Sequence, residues 1–406
     1  MTSQTADTTP LIDDARARRN VLVMAIAQAI GGATAPMNIA ISALAAYYLL
    51  GEDKSLATVP ITAFVLGTAC GAVPAALLMR RVGRRPGFIT GLLIGSLGGL
   101  VEVAAMSLHQ FWLLALGSFL VGSTNAFIHQ FRFAAADISS AAFRPKAISL
   151  VLVGGIFAAV IGPQTVIFTR DMLDPLPFAG AYVAAAMLSA TGAFVLIFLD
   201  IPKPVYNKAA QGGRPLTEIA LKPDFIIAVI CAVCAYALMS LVMTAAPLAM
   251  VANGHHQDMA VLGIQWHVIA MFGPSFFTGS LIARYGAERI VAVGMILLIG
   301  CATVALSGIS VGHYWLALVL LGVGWNFGFI GGTTLVTETY RPEEKERVQA
   351  LNDVLVFGFV ALASLSSGHL LVLGGWNLVN LAVYPVAFFC LMALGLLWMR
   401  RRSSFG

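Results

Sequence analysis

Sulfur and imidazole side chains crowd into one stretch of this sequence. Met, His and Cys number 15, 7 and 5 in the chain, and ten of them fall between Cys231 and Met271. Met239 and Met243 stand four apart, as do His267 and Met271. On a helix such pairs share one face, separated by about 6 Å along the axis. Thioethers and imidazoles are ligands that Cu(I) prefers, whereas Mg, Ca and Mn want carboxylates. Met250, His255, His256 and Met259 lie between the two pairs and would capture an ion at the mouth of such a site. Cys231 and Cys234, spaced i,i+3, could take it up beyond the site or undergo redox exchange, or could simply ease helix packing. The methionines have a bland reading too, since Met fills gaps between packed helices.

The elements that position these residues are membrane helices. The chain has 406 residues, 59% hydrophobic and 11% charged, with a mean hydropathy of +0.87. Soluble domains carry about 25% charge, so a soluble enzyme and a disordered chain are both excluded. Apolar runs between polar breaks predict twelve spans near 21–50, 57–80, 87–108, 111–137, 146–169, 178–200, 224–252, 259–283, 289–310, 314–338, 348–373 and 376–399. Spans seven and eight then form a hairpin. Counting from its turn, Met243 and His267 fall at one depth and Met239 and Met271 at a second, near mid-bilayer.

With both termini in the cytoplasm, 21 Lys and Arg side chains fall on the inner side, while Lys54 and Arg170 lie outside and Arg132 sits within a span. That is the positive-inside pattern, so the net charge of +5 reports topology and no nucleic-acid partner is expected. The first twenty residues lack an apolar run, so no cleavable signal is expected. Expected domains are a tail over 1–20, a six-helix half over 21–200, a linker over 201–223, a second half over 224–400 and a tail over 401–406.

A repeat crosses the linker. Leu78-Met79-Arg80-Arg81-Val82-Gly83 closes span two, and Leu281-Ile282-Ala283-Arg284-Tyr285-Gly286 closes span eight; Phe143-Arg144-Pro145 likewise echoes Tyr340-Arg341-Pro342. The chain resembles the major facilitator superfamily in this loop, in span count and in its two halves. It departs from the family at Arg80, where an aspartate that pairs with a neighbouring helix end is usual. Asp137, at the end of span four, could pair with a loop arginine instead.

The motifs Met239-Ser240-Leu241-Val242-Met243 and His267-Val268-Ile269-Ala270-Met271 resemble those of the CcoA-type copper importers, a bacterial branch of that superfamily. The resemblance implies an all-α protein of the bacterial inner membrane that imports copper by rocking of its halves, for cytochrome oxidase assembly. Copper, as Cu(I), would be cargo, with membrane lipid as surroundings and no resident cofactor. No GxxxxGK[ST] loop and no hydrolytic triad is present, so no enzyme is expected. His129 and Arg132 on span four and Asp353 on span eleven are candidates for gating or coupling, since polar side chains within spans are costly. Two other readings stand beside copper import. One is a carrier of small organic solutes, either a drug/proton antiporter or a vitamin carrier. The other is a copper chaperone or sensor that moves nothing.

Overall fold

The structure, a computed structural model, describes residues 14–140, 143–201 and 213–403. The N-terminal tail through residue 13, Lys203 and Lys208 of the linker, and the last three residues lie outside the described residues. Every regular element among the described residues is helical.

The first crossing is made by α1 (Asp14–Gly31) and α2 (Thr34–Leu49), joined across a break at Gly32 and Ala33. Then come α3 (Val59–Val82), α4 (Arg84–Ser107), α5 (Phe111–Ile128) with α6 (Phe131–Asp137), α7 (Arg144–Thr169) and α8 (Ala179–Val195). A short α9 (Leu216–Ala220) lies in the linker. The second set comprises α10 (Pro223–Ala252), α11 (Gln257–Phe272) with α12 (Ser275–Tyr285), α13 (Ala287–Ser307), α14 (Val311–Thr337), α15 (Lys345–Leu381) and α16 (Val383–Ser403).

By length and composition ten of these segments can cross a membrane, or eleven when the bent pair α11–α12 counts as one. The last segment, 347–400, has 54 residues. Its length at 1.5 Å per residue is about 80 Å, well over twice a ~30 Å hydrocarbon core. Gly374 and Gly375 break it with non-helical backbone. Just beyond, Trp376 donates its indole N–H to Ala305 O at 3.2 Å, at the far end of α13 from Gly286. The chain therefore turns back there and crosses twice, which brings the crossings among the described residues to twelve.

Two glycines carry the repeat into three dimensions. Gly83 has φ 99° and Gly286 φ 87°, a region where L side chains are strained. Each links the end of one helix directly to the next, so the two loops share a backbone shape as well as a sequence. Elsewhere the helices approach through small residues, as membrane helices do. A Cβ at Gly67 would lie 2.0 Å from Phe119 O, and one at Gly122 2.0 Å from Phe64 O.

The bend of 42° between α11 and α12 frees backbone groups that lipid cannot satisfy. Asn326 of α14 fills that need, donating to Met271 O at 2.7 Å and to Ser275 Oγ at 2.7 Å.

Candidate functional site

The two sets of crossings are joined at the face away from the basic loops. There Arg170, capping α7, lies 2.7 Å from Asp258 at the start of α11. About two turns deeper on the same two helices, Gln164 donates to Gln265 at 2.9 Å. On the other side of the bundle Thr62 of α3 donates to Ser364 of α15 at 3.2 Å. A shallow cavity of about 560 Å³ lies above Arg170, lined also by Val251, Gly254, His255, His256 and Gln257.

Below these contacts, rings and polar groups face each other across the sets. Tyr236 of α10 is edge-on to three aromatic side chains: Trp325 at 5.4 Å, Phe329 at 5.0 Å and Phe357 at 5.8 Å between centroids. Trp325 and Phe329 are nearly parallel, at 18° and 5.3 Å. Phe64 and Ile39 of the first set pack into the same cluster. From the first set, the side chains of His129 and Arg132 lie exposed at the α5–α6 break. Asn125 contacts His129 at 3.1 Å, and Arg132 is electrostatically coupled to Asp353 and Tyr236 of the second set. The second set thus supplies an aromatic wall and the first set a polar one, with Arg132 linked electrostatically across to Tyr236.

The soft donors are distributed differently. Met239, Met243, Met250 and Met271 are buried members of the main core cluster, and Met259 packs against it. His267 is fully buried, with Nδ1 2.8 Å from Leu318 O on α14. His255 contacts Ile309 O through Nε2 at 2.6 Å and sits edge-on to Tyr314, and His256 lies 3.1 Å from Asp258. Cys231 and Cys234 meet Cys390 of α16, a partner their spacing could not reveal. All five cysteines are free, and among the described residues no three His, Cys, Asp or Glu side chains are grouped to hold a metal. Asp137 does form its expected pair, with Arg84. Glu102, buried in the first set, accepts from Asn38 at 2.6 Å and Ser118 at 2.9 Å.

Arg170, Gln164, Gln265 and the aromatic wall escape sequence reasoning. Only Trp325 and Phe329, four apart on α14, left a signal, and spacing of that kind recurs throughout an apolar chain.

The family model of the Major Facilitator Superfamily matches residues 21–351 and 228–405. The riboflavin transporter RfnT of Brucella anthropi is 44% identical over 386 residues, covering 95% of this chain and 97% of its own. YdeG of Bacillus subtilis, an uncharacterised MFS-type transporter, is 30% identical over 403 residues, covering 95% and 93%. Among solved structures, the nucleoside transporter NupG superposes with a TM-score of 0.71 at 14% identity, covering 92% of this chain and 98% of its own. The POT family transporter PepTSo gives 0.70 at 13%, covering 95% and 98%.

These findings overturn copper as the cargo and as the partner, and with it the supply of copper to cytochrome oxidase. A relative this similar over nearly the whole of both chains carries a vitamin. Physically, sulfur that looks like a ligand row in sequence is also what an adaptable helix interface requires. The resemblance to copper importers rested on two four-residue spacings; the likeness to RfnT runs the length of the protein. The chain belongs to the Major Facilitator Superfamily and is a multi-pass transporter of the bacterial plasma membrane.

Proposed function

We propose that this protein carries riboflavin, or a vitamin of the same flat heteroaromatic class, across the membrane by alternating access, without chemical change to its cargo. The observation that carries the reading is the 44% identity to a riboflavin transporter over 95% of this chain and 97% of that one. The aromatic wall of Tyr236, Trp325, Phe329 and Phe357 supports it, because aromatic faces stack on flat rings with offset or edge geometry. The polar wall of Asn125, His129 and Arg132 offers donors to a polyol side chain.

In this reading the two six-helix sets rock about the cargo. The face bearing the basic loops is cytoplasmic, on the charge bias of 21 to 2, and the cargo moves inward. With the opposite face shut by Arg170–Asp258 and Gln164–Gln265, the site communicates with the cytoplasmic side.

Uptake of radiolabelled riboflavin into cells lacking their own riboflavin synthesis tests this. Expression of the intact chain should give saturable uptake, and Tyr236→Ala should lower it at least tenfold at equal protein level. Absence of saturable uptake with protein present in the membrane would reject the reading.

A further inference from the structure

Among the buried polar atoms of the second set that lack a hydrogen-bond partner, three lie on packed neighbouring helices: Ser240 Oγ on α10, His267 Nε2 on α11 and Trp325 Nε1 on α14. Their residues are 1%, 0% and 8% exposed. These three helices pack against one another. Counted from the helix ends at the face opposite the basic loops, the three residues lie about 15–21 Å deep at 1.5 Å per residue. They lie within about 6 Å of one depth, and Tyr236 and Phe329 of the aromatic wall stand one helical turn deeper than Ser240 and Trp325.

An unmatched polar atom in an apolar interior costs free energy, and three of them on neighbouring helices at similar depth call for a common explanation. Their hydrogen-bonding characters can be assigned. A carbonyl only accepts, so His267 must donate through Nδ1 to Leu318 O, which leaves neutral Nε2 with a lone pair. Trp325 Nε1 only donates, and the Ser240 hydroxyl can donate as well. The trio thus presents one acceptor and two donors.

We propose that Ser240, His267 and Trp325 form a recognition set for the imide edge of a heteroaromatic ring, the C=O, N–H, C=O sequence found in pyrimidinediones. The imide N–H donates to His267 Nε2. The two flanking carbonyls accept from the Trp325 indole and the Ser240 hydroxyl. Tyr236 and Phe329 hold the plane of the ring. This rests on the carrier reading above and narrows it, because the isoalloxazine of riboflavin ends in such an edge. Discrimination by a site of this kind is strong, since a ligand lacking the matching group leaves buried donors and acceptors unpaired.

The test is equilibrium binding to the purified full-length protein in detergent, with riboflavin, its N3-methyl derivative and lumazine as probes. Lumazine keeps the imide edge and lacks the polyol chain. The intact protein should bind riboflavin at least tenfold more tightly than the N3-methyl form. His267→Leu should abolish that preference, whereas Trp325→Phe and Ser240→Ala, which keep their local shape, should weaken riboflavin and the N3-methyl form in equal proportion. Monodisperse elution of each variant guards against misfolding.

Equal affinity of the intact protein for riboflavin and its N3-methyl form would overturn the recognition set while leaving the carrier reading standing. Binding of lumazine without binding or uptake of riboflavin would retain the set and reject the vitamin. Binding of none of the three probes would reject both.

Discussion

Arg170 and Asp258 stand 2.7 Å apart across the interface of the two helical sets, with the guanidinium side chain 8% exposed. Asp171 and His256 crowd the same pair, at 3.0 Å from Arg170 and 3.1 Å from Asp258 respectively. The pair is the outermost joint between α7 and α11, and it has to separate for that face to open.

Removing either charge should therefore favour the state open on that face. In a Gln164→Cys/Gln265→Cys background, oxidative cross-linking should lock that face and stop uptake, with recovery on reduction. Arg170→Ala or Asp258→Ala should slow cross-linking severalfold, and the swap R170D/D258R should restore it. Cross-linking indifferent to the charges would show that the pair does not hold the face shut.

A second joint ties the linker to the loop after α14. Glu344, with its side chain fully buried, accepts from Arg214 Nη2 at 2.7 Å and Nε at 2.9 Å, and from the Arg341 backbone N–H at 2.8 Å. Arg214 above all, and then the Arg341 N–H, hold the carboxyl well below the usual carboxylate range. A depressed carboxyl contributes stability above its unfolded value near ~4.3, lost as pH falls through the folded value. Thermal unfolding followed from pH 7 down to pH 3 should show Tm falling below about pH 4. Glu344→Gln should have a lower Tm at neutral pH and a flatter acid limb. An unchanged acid limb would count against this joint.

The methionines offer a third prediction. Met239, Met243 and Met271 are buried in the main core, where Leu is close in volume. Replacing all three by Leu should cost less than ~1.5 kcal/mol per site and leave riboflavin uptake within about twofold of the intact protein. Complete loss of uptake with an unchanged melting curve would return those sulfurs to the transport site.

Much of the architecture was written in hydropathy, because lipid demands long apolar helices and the basic residues mark one face whatever the packing. The predicted boundary between spans eleven and twelve, between 373 and 376, coincides with the break at Gly374 and Gly375. Gly83 and Gly286 marked equivalent turns since few other residues tolerate that backbone. Asp137 found its arginine because the last residue of α6 and the first of α4 lie on the same face.

The site was a different matter. Sequence spacing shows which residues share a helix face, but it does not show which helix that face meets. Met243 and His267 looked like ligands at matching depth on a hairpin, yet α10 lies mainly against α14 and α15, and His267 is held by a carbonyl of α14. Tyr236 and Phe357 stand 121 positions apart in the chain and 5.8 Å apart in space. Arg170 counted only as an exception to the charge rule until α11 brought Asp258 to it. The local chain decided which segments cross the membrane and where they turn. Only tertiary packing decided which buried polar atoms are matched and which wait for a partner, because that depends on neighbours remote in sequence.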